Sequence, residues 1–245
     1  MEVLAVCHLH STWSYDGSWA IDAMVEAFAR RGYRVMMMTE HDAGFTPERY
    51  EQFREACARA TLDRMLVLPG MEYSDPDNRV HVLVWGAPFL GEGLKTDALL
   101  DAVAAHAGHA VLAHPARRAA WQCFSPRWTD TLLGIEAWNR KYDGVAPGDA
   151  ASTLLEARTA VPFAGLDFHT ARQFFPLGML LDLEGPISEE TVLECLRLRR
   201  CSARAFGLPL TERRFGTALP LLQVAERARR SLAALRRYSK ARGSA

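Results

Sequence analysis

Nine residues able to bind a cation recur along this chain beside short apolar runs, and that recurrence restricts the folds open to it. His8 and His10 end the opening run. Asp16 follows in Ser-Tyr-Asp-Gly, His41 in Thr-Glu-His-Asp and Glu72 in Pro-Gly-Met-Glu. His81 heads His-Val-Leu-Val-Trp, His114 sits in Ala-His-Pro, and Asp167 and His169 share Gly-Leu-Asp-Phe-His. Six imidazoles and three carboxylates are thus spread over about 160 positions. Imidazoles and carboxylates gather in one fold chiefly to hold metal ions, so the chain must bring distant strand ends together.

The pattern between these motifs is alternation. Apolar runs at 3–8, 34–39, 65–69, 80–85, 109–113, 133–137, 161–166 and 178–183 read as strands. Longer periodic segments at 18–31, 47–60, 95–107, 148–159 and 188–199 read as helices. Ser18 is the expected cap of the first helix, where Ala20, Met24, Ala27 and Phe28 form a stripe. Ser188 is the expected start of the last. Repeated strand–helix units close into a barrel or a doubly wound sheet. The ligand positions favour the barrel, because its strand ends meet at one mouth, whereas the edges of an open sheet lie too far apart to share a site. His8 and His10, two apart on a strand, are expected to share a face.

The five cysteines are odd in number and lack Cys-x-x-Cys spacing, which argues against a disulfide framework or a thiolate zinc site. The longest apolar stretches are about ten residues, short of a membrane span. The opening residues lack the basic region of a signal peptide, so the expected location is cytoplasmic. Net charge is zero but uneven. Residues 211–245 hold nine Lys/Arg and two Glu, a net of +7, leaving −7 on the rest. The expected organisation is a barrel domain over 1–210 and a basic helical tail over 211–245. The tail's apolar stripe is Leu221, Val224, Ala225, Ala228, Leu232 and Leu235. It can pack on the barrel with a solvated basic face, attract a nucleic acid or other polyanion, or meet a partner or a membrane surface.

The series His8-x-His10, Ser14-Tyr15-Asp16-Gly17, Thr39-Glu40-His41-Asp42, Pro69-Gly70-Met71-Glu72, His81, Ala113-His114-Pro115 and Asp167-x-His169 resembles the PHP (polymerase and histidinol phosphatase) family in order and local context over residues 3–172. The resemblance implies a distorted (β/α)7 barrel with two or three divalent ions (zinc, manganese or iron) at the mouth. It implies one ion on His8, His10, Glu72 and Asp167. A second falls on Glu72, His81 and His114, and a third on Asp16, His41 and His169. Glu40 stands where the family often has Asp and is expected behind the ligands.

The expected activity is a metal-dependent phosphoesterase, a hydrolase of phosphomonoesters or phosphodiesters, using a hydroxide that bridges two ions. Glu72, Asp167 and His81 are the expected catalytic residues. Arg117 and Arg172 are the best-placed phosphate binders, with Arg140 and Lys141 behind them. The substrate is expected to be a phosphorylated small molecule, a nucleotide or a nucleic-acid end. Hydrolysis of carboxylic esters or amides on the same ions, or a non-catalytic metal-stabilised module, are the rival readings. Trp13 and Trp121 lie near ligand motifs, as stacking groups or as packing. His106 and His109 fall at the far end of the barrel.

Overall fold

The runs that read as strands are strands because they are apolar on both sides. Val35-Met36-Met37-Met38 is buried throughout, as expected for a parallel strand covered on both faces. The computed structural model describes residues 1–62, 64–155, 160–210 and 219–243. Among them lie strands β1 (Glu2–Cys7), β2 (Val35–Met37), β3 (Glu40–His41), β4 (Leu66–Leu68), β5 (Gly70–Ser74), β6 (His81–Trp85), β7 (His109–Leu112), β8 (Leu132–Asn139), β9 (Val161–Gly165), β10 (Leu177–Asp182), β11 (Cys201–Ala205) and β12 (Leu208–Pro209). The α-helices are α1 (Ile21–Ala29), α2 (Pro47–Ala60), α3 (Thr96–Ala105), α4 (Asp149–Leu155), α5 (Glu189–Arg197) and α6 (Leu219–Gly243).

The strands form two six-stranded sheets, ordered β12-β11-β10-β1-β2-β4 and β3-β5-β6-β7-β8-β9. They are two parts of one wall. After brief breaks β2 leads into β3 and β4 into β5, and Met38 N donates to Leu68 O across the gap. On the other side β9 meets the end of β1. Leu166 N donates to Cys7 O and Phe168 N to His8 O, and Leu9 and Phe168 form a parallel bridge. The backbone bonds therefore run around a ring of β1, β2/β3, β4/β5, β6, β7, β8 and β9. The ring is distorted because β6 runs antiparallel to β5 and β7. The last predicted strand, 178–183, lies outside this ring. It forms β10, antiparallel to the first half of β1, and continues into the unpredicted β11.

Gly70 marks the break before β5. A side chain there would meet the Trp85 ring at 2.3 Å and Met38 O at 2.6 Å. The indole fills that space and donates to Met38 O at 2.9 Å. One continuous core runs from Val3 to Ala205. Each fully buried Met, Leu or Phe in it contributes about 1.5–3 kcal/mol.

Two local expectations are corrected. Helix α1 starts at Ile21, with Ala20 as its cap and no side-chain bond. Ser18 instead donates its hydroxyl to His169 O at 2.5 Å, joining the loop after β1 to the loop after β9. Ser188 does cap α5, accepting from Thr191 N.

The second correction concerns α6. Residues 211–218 of the basic tail, and 156–159 at the end of the helix expected over 148–159, lie outside the described residues, as does the Leu235 side chain. The apolar stripe of α6 faces away from the barrel: Leu221, Val224 and Leu232 are 72%, 57% and 58% exposed. The face turned inward carries Leu222, Gln223 and the buried Glu226. Glu226 accepts from Val145 N, and Arg230 donates to the carbonyls of Tyr142 and Asp143. The loop after β8 offers polar backbone groups, so a polar face of the helix docks there.

Candidate metal centre

The ring brings the nine residues to one rim. His8 and His10 follow β1, His41 ends β3, His114 follows β7, and Asp167 and His169 follow β9. His81 opens its strand rather than ending it. It reaches the same rim because β6 is reversed, pairing His81 with Ser74 at the end of β5. Strand alternation alone does not aim the others. His8, His114 and Asp167 have φ of 62°, 24° and 49°, a left-handed conformation uncommon outside glycine. Such positions cost on the order of 1–3 kcal/mol each and concentrate at functional sites.

Glu72 is the centre of the cluster. Its Oε2 lies 3.4 Å from His8 Nε2, 3.3 Å from His10 Nε2 and 3.1 Å from His41 Nδ1. Its Oε1 lies 2.8 Å from both His81 Nδ1 and His114 Nε2. Asp167 Oδ1 approaches His8 Nε2 at 3.8 Å and His10 Nε2 at 3.6 Å. Asp16 bridges the third corner, with Oδ1 3.3 Å from His41 Nε2 and Oδ2 3.0 Å from His169 Nε2.

The gaps near 3.3 Å fit ions, whereas the two of 2.8 Å at Glu72 Oε1 are hydrogen-bond distances. Ligands about 2.0–2.1 Å from a tetrahedral zinc are separated from one another by about 3.3 Å. Among the described residues, His8 Nε2, His10 Nε2 and His41 Nε2 are buried beside these carboxylates without a partner in hydrogen-bond geometry. A buried polar atom left so costs about 1–3 kcal/mol, a penalty that a bound ion removes. Four triplets among these residues hold ligand atoms within 4.8 Å of one another: His8/His10/Glu72, His8/His114/Asp167, Glu72/His81/His114 and His10/His41/His169.

The charges suit cation binding. Burial opposes ionisation of Glu72, yet the imidazoles of His8 and His81 hold its carboxyl well below the usual range. Asp167 is likewise lowered against burial by His8 and Lys141. Burial pulls His41 down, but Asp16 and Glu72 override it and push it up to about 10, so a proton there meets the carboxylate charge, and a bound cation would displace that proton to meet it.

A layer of polar groups behind the cluster positions its side chains. Glu136, not anticipated from sequence, accepts from His8 Nδ1 at 2.8 Å, His114 N at 2.7 Å and Asn139 Nδ2 at 2.9 Å. Gly165 leaves room for it, since a Cβ there would lie 1.9 Å from Glu136 Oε1. The available signal was an acid inside the buried run Leu132–Asn139. Glu40 lies behind His10 and His41. It accepts from Ser11 N and from the hydroxyls of Ser11 and Ser14, and Ser14 in turn reaches His10 Nδ1 and accepts from His41 N. Asn78 Oδ1 lies 2.7 Å from His81 Nε2.

Above this floor is a cavity of about 310 Å³, whose walls include Tyr15, Asn78, Arg117, Lys141 and Tyr142. Arg117 is held over it by Tyr142 Oη and by the carbonyl and side-chain oxygens of Asn78. Lys141 Nζ lies 3.2 Å from Asp167 Oδ1. Arg172 does not line this cavity; it is exposed on the short turn Ala171–Gln173. Arg140 is stacked on Phe175 instead. Trp13 packs against Phe45 and Phe53, and Trp121 is also outside the cavity wall. His109 pairs with Trp85, at the far end of β6, and His106 closes α3.

This ring fold is shared with solved structures, one of them described as containing a PHP-like domain, the family that the motif series resembles. No family model matches the chain. Among solved structures it is similar to a two-domain protein from Bacteroides vulgatus ATCC 8482 containing a predicted PHP-like metal-dependent phosphoesterase. The TM-score is 0.64 at 17% identity, over 84% of this chain and 65% of that one. It is also similar to PsfC from Pseudomonas syringae PB-5123, with a TM-score of 0.64 at 16% identity over 95% and 99% of the two chains. In sequence, 73 residues are 38% identical to the DNA polymerase/3'-5' exonuclease PolX of Bacillus subtilis (strain 168). That match spans 26% of this chain and only 13% of the polymerase.

Proposed function

We propose that this chain is a metal-dependent phosphoesterase. The observation that carries the reading is Glu72, a buried carboxylate within 3.4 Å of five imidazoles, below a cavity that has Arg117 on its wall. His8, His10, Glu72 and Asp167 would hold one divalent ion, and Glu72, His81 and His114 a second. Asp16, His41 and His169 form the third corner. The mixed nitrogen and oxygen donors suit zinc, manganese or iron. Divalent ions held there supply Lewis acidity: they lower the pKa of bound water toward 7 and stabilise charge on phosphoryl oxygens.

The chain's own residues do the rest. Arg117 offers its positive charge and its remaining N–H donors to a phosphoryl group. Tyr142 and Asn78 hold the guanidinium at the cavity wall. His81 and Asp167 lie on the cavity wall and are the groups placed to move a proton. Exposed Tyr15, stacked on His41 at 5.1 Å, offers a ring to a planar substrate. The cavity volume suits a small phosphorylated molecule, a nucleotide or a strand end. The likeness to a polymerase/exonuclease segment supports including nucleotides and nucleic-acid ends among the substrates.

The test is turnover of p-nitrophenyl phosphate, bis(p-nitrophenyl) phosphate and p-nitrophenyl acetate by protein reloaded with manganese or zinc. Phosphoester cleavage that chelation abolishes is the expected result. Cleavage of the acetate alone would overturn the reading in favour of a carboxylic-ester hydrolase, and no turnover in favour of a non-catalytic module.

A further inference from the structure

One lysine reaches into the cluster, between the Asp167 carboxylate and the His169 imidazole of the third corner. We infer that Lys141 is the resident third cation of this centre, so that two divalent ions bind tightly and the Asp16–His41–His169 corner takes a third only weakly. The inference rests on the metal-centre reading above and departs from the trinuclear expectation drawn from the motif series.

Lys141 Nζ lies 3.2 Å from Asp167 Oδ1 and 3.2 Å from His169 Nε2. The same His169 nitrogen faces Asp16 Oδ2 at 3.0 Å. An imidazole nitrogen has a single lone pair in the ring plane, and an ammonium group can only donate. His169 Nδ1 sits 2.9 Å from Asp167 O, so the Nε2 edge, between Asp16 and Lys141, is the one that a third ion would use. Lysine and a third ion would compete for that edge. They also repel one another as like charges.

The position of Lys141 is built rather than incidental. Asn139 Oδ1 accepts from the backbone N–H groups of Lys141 and Tyr142, each at 3.1 Å. Asn139 is in turn fixed by Glu136 and by Asp143. The carboxylate that orients His8 thus also anchors the loop that delivers the ammonium. Among the described residues no lysine or arginine forms an ion pair with Glu72, which both other ion positions share.

The experiment is a manganese titration of chelator-stripped full-length protein by calorimetry, with bound metal counted by elemental analysis. Lys141→Met keeps the chain length and removes the charge; Lys141→Gln is the second variant, and melting curves check that each is folded. The wild type should take two ions tightly and a third at least tenfold more weakly. Both variants should tighten the third ion at least tenfold and approach three per chain. Three equally tight ions in the wild type, or a third-ion affinity unchanged in both variants, would overturn the inference while leaving the metal centre intact. A wild-type protein that takes up no manganese would remove the metal centre itself, and this inference with it.

Discussion

Glu136 Oε1 lies 2.8 Å from Nδ1 of His8, a residue 128 positions earlier in the chain. The contact leaves His8 Nε2 directed at Glu72 and Asp167. A carboxylate on the far nitrogen of a metal-binding histidine fixes its tautomer and raises its basicity.

Glu136→Gln should therefore weaken metal affinity by about 10–100-fold, the usual effect of losing such a support. Calorimetric titration of stripped protein measures it. Unchanged affinity would show that His8 needs no support from β8.

Glu72→Ala removes the one carboxylate shared by five imidazoles. Phosphoester turnover should fall at least about 100-fold, the scale of losing a main electrostatic contact. Bound metal should fall with it. Retained metal and activity in a folded variant would displace Glu72 from the centre.

Arg117→Ala should raise KM for a phosphoester severalfold to about tenfold, the effect of about 1 kcal/mol of lost binding. Arg172→Ala should leave KM unchanged, because Arg172 is exposed away from the cavity. Steady-state kinetics of the two variants separate the positions. The reverse ranking would reassign the phosphate contact.

Asp143 titrates unusually high. Burial pushes its carboxyl up to about 7, against the opposing bond from Asn139 N. The folded state then holds a proton that the unfolded state releases near pH 4. The associated stability is fully present below about pH 4 and is lost as pH rises to about 7, up to about 4 kcal/mol at about 1.4 kcal/mol per unit. Denaturant unfolding at pH 5 and pH 8 should show a smaller drop for Asp143→Asn than for the wild type. An equal drop would assign the loss to other groups.

The docking of α6 gives a comparison that opposes its hydrophobic pattern. Leu221→Gln with Leu232→Gln should change stability by no more than about 0.5 kcal/mol per site, since both side chains are exposed. Glu226→Ala should cost about 1 kcal/mol, because Val145 N loses its partner in a partly buried contact. Thermal melting of the two variants distinguishes the faces.

Much of the site was legible because each ligand motif is local. A short apolar run predicts a strand, and the residue beside it can be named as a ligand from its chemistry alone. This was enough for His8, His10, Asp16, His41, Glu72, His81, His114, Asp167 and His169 to be named as one set, and for a barrel to be chosen over an open sheet. Glu136 was not legible, since one acid within a buried strand has no periodic signature of its role. Lys141 could be named as a cation near the mouth, but its contacts with Asp167 and His169 depend on how the loop after β8 folds back over β9.

The covalent order of residues determined the donor chemistry, because side-chain type and neighbouring hydrophobicity are properties of short segments. Only the tertiary structure decided direction: the reversal of β6 that carries His81 to the rim, the left-handed turns at His8, His114 and Asp167, and the outward apolar face of α6. Those outcomes depend on which strand pairs with which and which backbone groups need partners, and such pairings join residues that local periodicity cannot connect.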